Sequence, residues 1–259
     1  MKTLLTLVFL VVAGGGLARA QDEGVAPPPS RAREAVEHGQ YLPSTQAAAT
    51  GPTTAAVLAG YDGARRSATF GASADVVLFG PVSVRAGATL MPAPLAETGA
   101  ARWQPNFGVR VQVLKQERQG LDAAVGVFYR KERFVQDEGE IQVAMMGGLR
   151  LGRVGLLANL GYGQDTEGDD RDGLVNLAAL YTATPHLQLG VDGRLRFDLG
   201  STDSRRAARG ESSYDLTVGP VATVPFGSWA VIAQTGYAAV KTTRLQGGVV
   251  AMGGLGRSF

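Results

Sequence analysis

The chain has no cysteine, which removes disulfide frameworks, thiolate metal sites and lipid attachment through a thioether. Histidine is almost as scarce, with only His38 and His186 present. Nucleophilic catalysis then lacks its usual base, and no pair of carboxylates stands out for acid–base work, so the reading is non-enzymatic. Charge of one sign is missing too: 25 Lys and Arg face 23 Asp and Glu, a net charge of +2. The basic residues are scattered and not gathered on one face, which argues against a nucleic-acid partner. The longest apolar run, Leu4 to Ala13, falls well short of the roughly 20 residues a transmembrane helix needs.

That run belongs to a secretory signal peptide over residues 1–20. Lys2 supplies its positive start, and Ala18-Arg19-Ala20 a small-x-small cleavage site that leaves Gln21 as the first mature residue. Residues 21–53 differ from the remainder of the chain. Pro27-Pro28-Pro29 is a stiff spacer, Arg31 to Gln40 suits a short helix carrying Glu34, Glu37 and His38, and the rest is rich in Ala, Thr and Ser without a period. Composition allows a disordered tail. It also allows a helix that plugs the domain beyond it or docks a partner.

From Thr54 to Phe259 segments of about ten residues alternate apolar with polar or small positions. Twelve strands are expected, at 54–61, 67–79, 82–91, 103–115, 120–131, 140–151, 153–164, 172–183, 186–199, 212–224, 228–240 and 246–259. Tight-turn sites at Gly80-Pro81, Gln119-Gly120, Gly152-Arg153, Thr184-Pro185 and Gly227-Ser228 alternate with longer polar links. Aromatics sort by strand end. Tyr61, Phe70, Phe107, Tyr129, Tyr162, Phe197, Tyr214 and Tyr237 fall at the ends next to the long links, and Phe79, Tyr181, Phe226, Trp229 and Phe259 at or beside the other ends. A soluble sandwich or small soluble barrel also alternates, but its outward face would need more Lys and Glu than this non-apolar face holds.

An even number of strands, short turns opposite long loops, two aromatic girdles and a last strand ending on Phe259 together resemble the bacterial outer-membrane β-barrel superfamily, across residues 54–259. The resemblance implies an all-β, antiparallel, up-and-down transmembrane barrel of about 12 strands. It also implies delivery by the barrel-assembly machinery, contact with outer-membrane lipid and lipopolysaccharide, and residues 21–53 as a periplasmic tail.

With that fold, the lumen-facing parity holds Arg85, Arg110, Asp122, Arg130, Arg150, Asp192, Arg194, Arg196, Asp198 and Asp215 among many glycines. Charges barred from lipid must face water or one another. They form either a paired brace or a narrow polar pore, with strand nine and its Arg194 and Arg196 as the constriction. The link with Asp165, Glu167, Asp169, Asp170 and Asp172 concentrates oxygen ligands as a Ca²⁺ site does, but lacks EF-hand spacing and reads as a solvated acidic loop. No cofactor is implied. Two functions remain: a small porin-like channel for ions or polar solutes, or a non-conducting barrel that anchors periplasmic or surface envelope proteins of a larger machine.

Overall fold

A computed structural model of the chain describes residues 30–91, 102–130, 139–166, 171–200, 213–241 and 244–259. A short helix, α1 (Arg31–Glu37), precedes twelve strands: β1 (Thr54–Asp62), β2 (Ser67–Phe79), β3 (Val82–Met91), β4 (Arg102–Leu114), β5 (Asp122–Arg130), β6 (Glu140–Leu151), β7 (Val154–Asp165), β8 (Arg171–Thr184), β9 (Leu187–Asp198), β10 (Tyr214–Phe226), β11 (Trp229–Lys241) and β12 (Leu245–Ser258). Every strand pairs antiparallel with its sequence neighbours, and β1 pairs with β12, so the sheet closes into an up-and-down barrel. Closure leaves no edge strand, and apart from local bulges and one gap the backbone donors and acceptors of the wall pair inside the sheet.

The apolar parity points outward. Val109, Val111, Val113, Val125, Val127, Leu156, Leu160, Leu189, Val191, Val218 and Val231 are all exposed. Such a continuous apolar exterior is wrong for water and right for hydrocarbon. This is why the fold is a membrane barrel and not a soluble one. Tyr61, Phe70, Phe107, Tyr162, Tyr237, Trp229 and Phe259 are exposed on the same surface, while Tyr129, Phe197 and Tyr214 are half-buried.

One end of the barrel carries the short links and can be called the turn end; the other is the loop end. Gly80, Gly120, Gly152 and Gly227 adopt φ of +48°, +83°, +60° and +59° at the turn end, a region that a Cβ disfavours. Register shifts at Val77/Phe79, Gln112/Leu114 and Thr182/Thr184 place bulges just before three of the turns. The connection after β4 differs from the expected tight turn. It holds a helical turn, α2 (Gln116–Gln119), capped by Gly120. The Asp122 carboxylate accepts the Gln116 N–H at 3.0 Å and supports it. This 115–121 link is longer than the loop-end links 63–66 and 242–244, so link length alternates less strictly than the sequence suggests. Pro220 faces outward, and the β10–β11 ladder skips Gly219 and Pro220 while the β9–β10 ladder runs through them. The missing N–H is thus placed at a gap in the pairing.

Candidate functional site in the barrel lumen

Residues 30–53 fold into the barrel from the turn end, reach mid-height at Ser44 to Ala47 and return to the turn end, where Thr53 joins β1. Helix α1 starts at Ser30, whose hydroxyl accepts the Arg33 N–H at 3.3 Å. Its apolar side, Ala35 and Val36, packs with Tyr41 against Ala230 and Ile232 of β11. The Tyr41 hydroxyl hydrogen-bonds the Ser258 hydroxyl at 2.6 Å, and Gly256 leaves the room its ring needs, since a Cβ there would run into the ring. Leu42 completes a second apolar cluster with Ala178, Leu180 and Val221, and Ala48 a third with Ala124, Phe128, Ala144 and Met146. Each well-buried aliphatic or aromatic side chain of this kind stabilises by roughly 2 kcal/mol.

Between these clusters the wall grips the backbone of the segment. Asp192 of β9 accepts three hydrogen bonds: Ser44 N–H at 2.8 Å, Thr45 N–H at 3.1 Å and the Thr45 hydroxyl at 2.7 Å. Asn159 of β7 accepts from Gln46 N–H at 2.7 Å and donates to Gln46 C=O at 2.9 Å, and Asn176 of β8 donates to Ser44 C=O at 2.9 Å. Arg110 of β4 donates to Ala47 C=O at 2.6 Å, to Asp75 at 3.2 Å and to the Ser83 hydroxyl at 3.0 Å. Gln112 accepts from Thr50 N–H and donates to Asp122, both at 2.8 Å. At the turn-end mouth Arg150 pairs with Glu37 of α1 at 2.7 Å. The backbone of Arg150 is itself held by the Gln116 amide of α2. Burial pushes the Glu37 carboxyl up, but the hydrogen bonds and charges of Arg150 and Arg33 outweigh it and hold it below the usual carboxylate range. A cavity of about 590 Å³ remains at this mouth between α1 and the β4–β8 wall, with His38, Glu37, Arg150 and Gln116 in its lining.

Charged side chains pair with one another in the loop-end half of the lumen. Arg65, in the link between β1 and β2, turns inward to Asp62 at 2.7 Å and to Asp215 at 2.6 Å. Arg194 reaches the same Asp215 at 2.9 Å. Arg196 bridges Asp172 and Glu140. Arg130 lies at the loop end of β5, and Asp198 accepts the N–H of Gly200 at 2.8 Å. Of the acidic link, Asp165 and Asp172 are buried, whereas Glu167, Asp169 and Asp170 lie outside the described residues. Among the described residues no group of His, Asp and Glu is placed to hold a metal ion.

Burial is uneven around the wall. Asn159, Leu174, Asn176, Ala178, Leu180, Asp192, Thr217, Val221, Ile232 and Gln234 are buried beneath the inner segment. On β2, β3 and β4 the lumen-facing Ser73, Arg85, Gly87, Thr89 and Asn106 remain partly exposed. Four of the predicted lumen residues, Arg110, Arg150, Asp122 and Asp192, meet in the grip on residues 30–53, and Arg194, Arg196 and Asp215 meet in the charged layer. Sequence reasoning did not single out Glu37, Thr45, Arg65, Asn159 or Asn176 as contacts of these two assemblies.

No family model and no curated protein matches the sequence. Solved structures do match in shape. The NanC porin superposes with a TM-score of 0.56 at 9% identity, over 79% of this chain and 98% of that one. An outer membrane channel from Pseudomonas putida gives 0.55 at 9% identity, over 84% and 97%. The translocator domain of the autotransporter NalP from Neisseria meningitidis gives 0.50 at 13%, over 82% and 90%. At these identities the likeness concerns architecture, and the chain has the fold of the bacterial outer-membrane β-barrels.

Proposed function

We propose that the chain spans the bacterial outer membrane with its turn end in the periplasm, after removal of residues 1–20 behind Ala20, and acts as a small-solute channel closed at rest by its own residues 30–53. The observation that carries this reading is the grip of Asp192, Asn159, Asn176 and Arg110 on the backbone of Ser44 to Ala47. Those wall groups are polar and suit water once the segment withdraws, so the closed and open lumens both satisfy them. Assembly by the barrel machinery and contact with lipid and lipopolysaccharide accompany the reading. The similar NanC structure is a porin, which fits passage of polar solutes.

A second reading is favoured by the apolar clusters beneath the segment. Phe128, Met146, Leu180, Val221 and Ile232 point into the lumen, and an open pore would wet them. In that reading the segment is permanent and the barrel anchors envelope proteins without conducting. Planar-bilayer recording separates the two, with refolded residues 21–259 beside residues 54–259. Current through the shorter chain alone supports a plugged channel. Silence in both, with folding shown by a heat-dependent gel shift, supports the anchor; steady current in both removes the plug.

A further inference from the structure

On the half-open wall, Arg85 occupies a different electrostatic position from the other lumen arginines. Arg65, Arg110, Arg150, Arg194 and Arg196 each hydrogen-bond a carboxylate. The Arg85 guanidinium faces Asp75 through charge alone and makes no hydrogen bond among the described residues. Asp75 is already committed to Arg110, so two guanidinium groups share one carboxylate and a positive charge is left over. Five N–H donors on a partly exposed side chain then point into the lumen.

The surroundings form a cradle. In register, Asp75, Arg85 and Gly108 lie across one rung, and Ser73, Gly87 and Asn106 across the rung two residues closer to the loop end. All face the lumen. A Cβ on Gly87 would meet the Ala72 carbonyl oxygen at 2.8 Å, the Asn106 carboxamide oxygen at 3.1 Å and the Ser73 Cβ at 3.2 Å, so only glycine lets the wall and these two side chains come so close. Neither Asn106 nor Ser73 makes a side-chain hydrogen bond among the described residues. A hydroxyl and an amide therefore lie on the lumen face one rung from the Arg85 guanidinium, beside an uncompensated positive charge.

We propose that Arg85, Asn106 and Ser73 form a binding site for a small organic carboxylate at mid-height on the β2–β4 wall of the lumen. The guanidinium fork matches the two oxygens of a carboxylate, and the amide and hydroxyl supply further donors. The site lies beside Arg110, which holds Ala47 of the inner segment. It needs no current to pass, so it stands or falls separately from the channel reading.

The test is ¹⁹F NMR line broadening of trifluoroacetate on the refolded full mature chain in a neutral detergent. The wild type should broaden the line, and acetate should reverse the effect. Arg85→Ala should weaken binding at least tenfold, and Asn106→Ala several-fold, with heat-modifiable mobility intact. Arg85→Lys, which keeps the charge but not the fork, should weaken binding several-fold and carries the test if the alanine variant does not assemble. No broadening with the wild type, or equal broadening with the Arg85 variants, overturns the site. Phosphate displacing the probe at lower concentration than acetate overturns the assignment to a carboxylate.

Discussion

The turn-end and loop-end halves of the lumen are closed by different physics. At the turn end a length of chain is inserted, its apolar side chains are buried, and its backbone is bound by neutral amides, the Asp192 carboxylate and the Arg110 guanidinium. At the loop end wall and link charges meet directly, as in the pairing of Arg65 and Arg194 with Asp215. The first closure is short-ranged and largely insensitive to salt. The second is electrostatic, buried at Asp215 and reached by solvent at Arg194, so ions screen it in part. A lumen closed only by charge could be opened by changes in ionic conditions. One closed only by packing would need the segment to move. Here both conditions apply, one above the other.

Asp192→Ala should separate the two halves most sharply. Ser44 N–H, Thr45 N–H and the Thr45 hydroxyl lose their acceptor together, costing about 3 kcal/mol. Hydrogen exchange of the 44–46 amides should accelerate, while β9 amides keep their protection. Uniform acceleration through the barrel would mean that the segment and the wall form one cooperative unit. Arg65→Ala should cost about 2 kcal/mol, less because Asp215 keeps Arg194. Its loss should shrink in part as salt is raised from 0.1 M to about 1 M, where the screening length falls to about 3 Å, whereas the Asp192→Ala loss should not; an equal salt response in the two variants would mean that both halves close by the same forces.

Acid should release the pair that Glu37 makes with Arg150. The folded Glu37 carboxyl titrates below its ordinary 4.5, so its contribution is complete above that value and is lost as pH falls through the lower folded value. Protection factors in α1, corrected for the intrinsic exchange rate, should fall over that window in the wild type and be independent of pH there in Glu37→Gln. The smallest effect on stability, about 0.5–1 kcal/mol, is expected from deleting Phe259, whose ring packs with Trp229 around the Arg257 guanidinium at 4.9 and 5.1 Å. The amount of barrel recovered in outer-membrane fractions should nonetheless fall, and recovery at the wild-type level counts against a sorting role for this terminus.

The strands were legible because a strand with lipid on one face and a polar lumen on the other writes its orientation in every second residue. The boundaries expected from sequence lie within two residues of those observed. Arg110, Asp192 and Asp215 could likewise be assigned to the lumen from parity. What they bind there could not. Asp192, Asn159, Asn176, Arg110 and Gln112 take hold of N–H and C=O groups of residues 44–50, and nearly every amino acid carries those, so recognition of this kind leaves little trace in the segment's composition. Arg65 was hidden for another reason: a link residue has no parity, and only the path of the chain at Gly63 to Arg66 turns it inward. The helical turn at Gln116 escaped because its support, Asp122, stands beyond the glycine that marks the turn.

Residues 30–53 enter and leave through the same end of the barrel, and Thr53 is tied there by the Phe259 N–H at 2.9 Å. The insert therefore resembles a cork on a short string, not a bead on a wire. Among the described residues nothing is threaded, so the β1–β12 seam can zip up before the cork is seated. Withdrawal and return require no strand to part, and either movement leaves the chain unknotted.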